Sequence, residues 1–352
     1  KKVSVYQPEI DKYLVTTETV DLDTKPENTG RALNTAAMGD TILEAARKNT
    51  QYVGKDLYWT HLNLFIIGED MAKDGVQSLL DFICRYYQMK LSTSLMVAKG
   101  TSGADILKGS NPSERIPSFN IMSTITNNAK HAITYQVKAN QFINDMGMQG
   151  ISTLPAVTIQ PDPNNGNPIT VFDGIAVFQD YKLIGYLPQQ ESLYYLFAIG
   201  QSNTNLIVPI EKDGQLVASL DIQKSKTKMK YEFNEDYSQI QLKLVIQIRA
   251  NIGENMVFNE QDKQDIQELA ALANQNIEER IMHCLQYVQS NFGIDIFNFG
   301  AEIEAKQTQL WKTIEQKWNH GLFRDALLQV EVKTEIISGS ALKNRIEMGN
   351  EG

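Results

Sequence analysis

Apolar and polar residues alternate most regularly in the last third of the chain. Isoleucine or leucine occupies every second position from Ile240 to Ile248, and polar residues fill most positions between them. Because successive side chains of a strand point to opposite sides, this pattern predicts a strand over 239–252 with one buried face. Further strands of the same domain are predicted at 207–210, 215–222, 224–233 and 327–337.

A longer period marks the segment that follows these strands. Apolar residues recur every three or four positions from Ile266 to Val288, which predicts a helix over about 261–290 with Asn259 as its N-cap. A second helix is predicted over about 301–318. Two helices covering one face of a sheet indicate an α+β domain.

Strands and helices alternate in the first half of the chain. The predicted strands are 12–20, 62–67 and 91–100; the predicted helices are 41–48 and a pair separated by Gly75. A segment with two prolines, 109–118, predicts a linker. Beyond it we expect a helix over 127–146, strands at 151–159, 171–178 and 181–187, and a short helix ending at Gly200.

This succession predicts an α+β protein of three domains. Their expected bounds are 1–110, 111–200 and 201–352, and each is expected to pack helices on a largely antiparallel or mixed sheet. The length of 352 residues suits two or three domains of ordinary size.

Charge and motif content narrow the function. The net charge of −9 and the isoelectric point near 5.1 disfavour nucleic acid as a partner, because phosphate neutralisation needs a basic surface. The four histidines show no metal-ligand spacing, and the two cysteines lie in apolar helical patterns that predict buried thiols. No nucleophile elbow, phosphate-binding loop or dinucleotide fingerprint occurs. We therefore predict no metal, no cofactor and no enzymatic activity.

Two short segments stand out against this background. In the segment 224–230, lysines alternate with other residues, so a strand would place all of them on one face: Lys224, Lys226, Lys228 and Lys230. Such a row is typical of a solvent-exposed strand face whose lysines discourage aggregation between sheets. It also suits a cationic stripe that binds anionic lipid headgroups or an acidic partner.

The second segment joins the two helices of the last domain and reads GIDIFNFGAEI from Gly293. Its large apolar side chains would each contribute roughly 1.5–3 kcal/mol on burial, which favours a packing corner. Gly293 is expected to end the preceding helix and Gly300 to lie in a tight turn.

The corner and the sequence after it resemble the closing motif of the Ger(x)C family, the C subunits of germinant receptors in spore-forming bacteria. The matching residues are Asp295, Phe297, Phe299, Gly300, Trp311 and Trp318. The segments 61–107 and 172–192 resemble the family's N-terminal block and middle signature, in the same order.

The resemblance implies a non-enzymatic subunit, tethered by an N-terminal lipid to the outer face of the spore's inner membrane, beside membrane-embedded A and B subunits. The cysteine that would carry the lipid is expected ahead of Lys1. Two hypotheses for the function remain: a subunit that acts through protein–protein contacts, and a lipoprotein that binds a small-molecule germinant itself.

Overall fold

The computed structural model describes residues 12–21, 31–53, 57–109, 116–128, 134–201 and 206–337. These residues form two compact units. Unit 1 contains the described residues from 12 to 128 and from 134 to 189, and unit 2 contains those from 190 to 337. Three sheets packed with helices confirm the α+β class predicted from the sequence.

The strands in chain order are β1 (Tyr13–Asp21), β2 (Arg31–Gly39), β3 (Leu64–Ile67), β4 (Ser94–Ala98), β5 (Val137–Lys138), β6 (Ile151–Pro161), β7 (Pro168–Gln179), β8 (Lys182–Leu187), β9 (Leu206–Lys212), β10 (Gln215–Phe233), β11 (Ile240–Asn255) and β12 (Leu327–Ile336). The helices are α1 (Ile42–Val53), α2 (Glu69–Asp74), α3 (Gln77–Arg85), α4 (Gly103–Ile106), α5 (Pro117–Asn128), α6 (Ala139–Gln149), α7 (Gln189–Ala198), α8 (Lys263–Asn291), α9 (Phe299–Lys306) and α10 (Thr308–Lys317).

One six-stranded sheet runs through most of unit 1, with a separate β1–β2 hairpin. Its order is β3-β4-β6-β7-β8, and β5 pairs with β4. Strands β3, β4 and β6 are parallel, whereas β7 and β8 continue antiparallel. The expected boundary between 110 and 111 therefore falls inside unit 1, because strands from both sides of it pair, as Val97 does with Ala156. The two units thus differ from the three domains expected from the sequence.

Gly174 lies at a bulge in this sheet. Asp173 and Gly174 together oppose Ala156, so β7 carries one extra residue at this point. Gly174 has φ +87°, and a Cβ atom there would lie 2.3 Å from the Leu187 carbonyl oxygen. Only glycine combines that backbone conformation with so close an approach of the neighbouring strand.

We expect Gly174→Ala to lower the free energy of unfolding by about 1–3 kcal/mol or more. The left-handed backbone is strained for alanine, and the atom that its Cβ would meet is a backbone oxygen of the neighbouring strand. Urea unfolding measures the change. Gly147→Ala is the matched control, because Gly147 lies inside α6 with no atom within 4 Å of the added Cβ. That control should be neutral or stabilising, and equal effects of the two substitutions would contradict the role of the bulge.

The four-stranded sheet of unit 2 has the order β12-β11-β10-β9, with β11 and β12 parallel. Its inner face is apolar and buried, and α8 contributes a buried stripe that includes Leu269, Ala273 and Ile277. This stripe and the strict alternation in β11 agree with the sequence pattern.

Helix α8 also closes both edges of this sheet. Asn276 bonds the backbone of Glu211 in β9, while Asn274 and Glu278 accept backbone N–H groups of β12. Asn276 is two residues from each of the others, so it projects from the helix about 200° away from them. Polar side chains of α8 therefore satisfy backbone groups of both edge strands that would otherwise be open to another strand.

Several predicted elements differ from those in the structure. The predicted strands 215–222 and 224–233 are one strand, β10, because a bulge between Ile222 and Lys224 absorbs Gln223 without a turn. The predicted helix 301–318 breaks at Gln307 into α9 and α10. Asp262 rather than Asn259 caps α8, with its side chain accepting the Gln264 N–H.

The predicted helix 127–146 is helical at 127–128 and 139–146, but its described residues 134–138 are not. Helix α5 ends at Asn128, Val137 pairs with Leu95 in the sheet, and α6 begins only at Ala139. Pairing with β4 buries Val137, and this tertiary contact outweighs the local helical period. Residues 110–115 of the predicted linker and 129–133 of this helix lie outside the described residues.

Candidate functional site

The four predicted lysines point outward from β10, on the side of the sheet opposite α8. Lys224, Lys226, Lys228 and Lys230 are exposed, whereas Met229 on the other face is buried. Cross-strand neighbours extend the row, since Arg249 lies beside Lys224 and Lys243 beside Lys230. Lys333 follows on β12, next to Gln247. We call the outward-facing residues of 224–232, 241–249 and 327–335 the cationic face.

Carboxylates on β12 neutralise only part of this face. Glu331 lies 2.7 Å from both Lys243 and Lys333, and hydrogen bonds to those two lysines lower its pKa to about 2. Glu335 lies 2.7 Å from Arg249. The described part of the chain contains no carboxylate paired with any of the four β10 lysines. Their charge is therefore available to an outside partner.

A groove of about 650 Å³ opens at one end of the cationic face. Its lining contains four basic side chains and one carboxylate, Lys224, Lys226, Arg249, Lys333 and Glu335, together with the uncharged residues Gln247, Ile248, Asn274 and Thr334. The β10 row could be predicted from its own alternation, but Lys243, Arg249 and Lys333 could not be assigned to the same face, because no local pattern determines which strands pair. The polar alternation of β11 was the available signal.

Asp295 organises the corner between α8 and α9. Its side chain accepts hydrogen bonds from the backbone N–H of Phe297 at 3.0 Å and of Gly300 at 2.8 Å. Burial raises the pKa of this carboxyl to about 6, against the N–H groups of Gly300, Phe299 and Phe297 and the Trp318 side chain, which lower it. With donors on every side, Asp295 is an anchor for the backbone of the corner.

An aromatic cluster surrounds this anchor. Phe297 stacks on Phe299 with ring centroids 5.2 Å apart, and Trp311 meets Trp318 at 5.9 Å. Phe323, which the sequence did not single out, contacts both phenylalanines and Trp318. All of these rings are buried. The six motif residues therefore meet in one packed core.

Glycine is needed at the two positions of the corner for different physical reasons. Gly293 has φ +67° and its N–H bonds the Val288 carbonyl, so it ends α8 as predicted. Gly300 was expected in a tight turn but lies in the first turn of α9. A Cβ there would lie 2.7 Å from Trp311 and 2.9 Å from Trp318, so close packing of two indoles requires glycine.

The histidines and cysteines of the described residues do not come together in one site. Over the described residues, no group of three or more His, Cys, Asp or Glu side chains could hold a metal ion. His283 pairs with Glu191 at 3.0 Å, and His131 lies outside the described residues. Cys284 is buried, which raises its thiol pKa, but Cys84 is exposed, contrary to the prediction of two buried thiols.

Among the helices described, none has the length and apolar character needed to cross a bilayer.

The structure resembles the crystal structure of the GerBC protein with a TM-score of 0.64 and 17% identity, covering 93% of this chain and 94% of the other. This likeness shows a shared fold.

Two curated proteins of Bacillus subtilis (strain 168) are similar in sequence. Spore germination protein KC is 22% identical over 313 residues, which are 85% of this chain and 76% of that protein. Putative spore germination protein YfkR is 27% identical over 220 residues, which are 61% and 54% of the two chains.

Two models of spore germination protein families match consecutive parts of this chain. Residues 3–159 match the spore germination protein N-terminal domain, and residues 173–339 match the model described as spore germination B3/GerAC like, C-terminal. The second match contains both the cationic face and the Asp295 corner. Because the two models together span most of the sequence, this chain belongs to the Ger(x)C family of spore germination proteins.

Proposed function

We propose that this chain is the C subunit of a germinant receptor and acts through contacts with membrane-embedded A and B subunits. It is held on the outer face of the spore's inner membrane by a lipid attached ahead of the present sequence. It performs no catalysis. The observation that carries the proposal is the agreement of both family models with one chain in the expected order.

The test is co-purification from spores. A tagged copy of the chain should bring down both membrane subunits, and spores lacking the chain should lose the response to the nutrient that this receptor detects. Recovery of the tagged chain without either subunit from detergent-solubilised spore membranes would overturn the proposal. Gly147→Ala provides a matched tagged variant that should recover the same subunits.

A second candidate function has one specific observation in its favour. A cavity of about 420 Å³ lies between α1 and α3 in unit 1, within the size range of small-molecule sites. Aromatic and apolar side chains line it, with Asp81 and Arg85 at its polar part. Tyr13 reaches across to Ser78 with a 2.8 Å hydrogen bond between hydroxyls.

Thermal unfolding separates the two candidates. A germinant that binds this cavity at a hundred times its dissociation constant would stabilise the chain by about 2.7 kcal/mol, a shift that is readily measured. We expect no shift across amino acids and sugars that trigger germination. A shift that Phe82→Ala abolishes would establish direct germinant binding in place of a role by contacts alone.

A further inference from the structure

We propose that the cationic face docks on a bilayer surface containing anionic phospholipids, with the β10 lysines among the headgroup phosphates. This inference deepens the proposed function and rests on it for the presence of a membrane. This docking is a second attachment of the chain to the membrane, made by the folded protein and separate from any lipid anchor.

The charge of the face is opposite to that of the whole chain. Seven basic side chains share it with three acidic ones, Glu232, Glu331 and Glu335, so its net charge is +4 within a protein of net charge −9. Glu331 and Glu335 are already engaged by Lys243, Lys333 and Arg249. What remains is an unneutralised lysine row along β10.

The dimensions of the face suit an extended anionic surface. Lys224 and Lys230 are six residues apart on one strand, a span of roughly 20 Å at about 3.3 Å per residue. The neighbouring strands add basic groups at about 4.8 Å intervals across the sheet. A single small anion would occupy one pair of lysines, whereas a lattice of headgroups can engage the whole array.

The composition of the face favours lipid over a protein partner. Its centre holds Val245, which is half-buried, and its large exposed apolar side chain, Leu327, lies at the beginning of β12. Protein interfaces usually have an apolar or aromatic centre and few lysines. Flexible ammonium groups match mobile phosphates without fixed geometry.

The experiment measures sedimentation of the full chain with vesicles. Vesicles of phosphatidylglycerol mixed with phosphatidylcholine should bind the chain at low salt, and vesicles of phosphatidylcholine alone should not. Binding should weaken as ionic strength rises past about 0.1 M, where the screening length is about 10 Å. Replacing the four β10 lysines with glutamine should weaken binding by on the order of a thousandfold, given about 1 kcal/mol from each basic residue near an anionic surface.

The matched control carries the same change of charge on exposed lysines outside the face: Lys90→Gln, Lys138→Gln, Lys182→Gln and Lys312→Gln. It should bind anionic vesicles like the unaltered chain, and both variants should keep its unfolding midpoint. Failure of the unaltered chain to bind anionic vesicles would overturn the inference, as would equal losses in both variants.

Face-dependent binding to poly-L-glutamate without vesicle binding would also overturn it and identify an acidic protein as the partner. Co-purification with the receptor subunits is measured separately from vesicle sedimentation, so the two proposals can fail independently. A chain that recovers both subunits but ignores vesicles would refute this inference alone, and a chain that binds vesicles but recovers neither subunit would refute the proposed function.

Discussion

Asp295→Ala is expected to lower the free energy of unfolding of unit 2 by about 3–5 kcal/mol, because several buried N–H groups would lose a charged acceptor at once. The Phe297 and Gly300 amides are 3.0 and 2.8 Å from the carboxylate, and Asp295 is buried, so these donors would lose their acceptor inside the core. Urea unfolding followed by tryptophan fluorescence measures the loss, since Trp311 and Trp318 lie in the same core.

The control for this substitution is Asp325→Ala. Asp325 is an exposed aspartate of the same unit, paired with Arg324 at 3.0 Å, and solvent screens that pair. Its removal should leave the unfolding midpoint unchanged. If both variants unfolded at the midpoint of the unaltered chain, Asp295 could not be the anchor of the corner.

The same carboxyl gives unit 2 a distinctive pH dependence. Its pKa in the folded state is raised to about 6 from the ordinary 3.8, so the folded state binds this proton more tightly than the unfolded state does. The resulting stabilisation is complete below about pH 4 and is lost as the pH rises to about 6, by about 3 kcal/mol. Asp295→Asn removes the titrating group, so its stability should lack this fall. An identical slope in both proteins between these pH values would contradict the raised pKa.

Phe323→Ala is expected to cost about 3–5 kcal/mol, the usual loss when a buried phenylalanine leaves a cavity. Phe323 is 1% exposed, and its ring centroid lies 5.8 Å from that of Trp318 and 6.3 Å from that of Phe299. Removing the ring takes away the shared neighbour of the two aromatic pairs. Unfolding in urea and the near-ultraviolet circular dichroism of the tryptophans report the change.

Phe323→Leu separates cavity formation from a special need for aromatic contacts. Leucine keeps most of the volume, so it should lose clearly less stability than alanine. Equal losses for leucine and alanine would show that ring-to-ring geometry matters more than the filled volume. No loss for alanine would mean that the cluster does not hold the α9–α10 segment on the rest of unit 2.

The Asp295 corner shows how far sequence reasoning reaches. Its apolar residues are close in the chain and carry their burial preference with them, so a packed joint could be predicted at Phe297 and Phe299. The role of Gly300 could not, because the reason for it is two indole rings that arrive from α10 and the turn after it. Phe323 was missed for the same reason, since two of its partners, Phe297 and Phe299, lie more than twenty residues away in sequence.

The sequence by itself determined the faces of the individual elements: the alternation of β11, the stripe of α8 and the outward row of β10 lysines. Period is a local property, and side-chain direction follows from it directly. Tertiary structure decided which elements pair. It joined strands from both sides of residue 110 in one sheet, extended β10 through a bulge, and added Lys243, Arg249 and Lys333 to the cationic face. These outcomes depend on contact free energies between distant segments, which no short stretch of the chain contains.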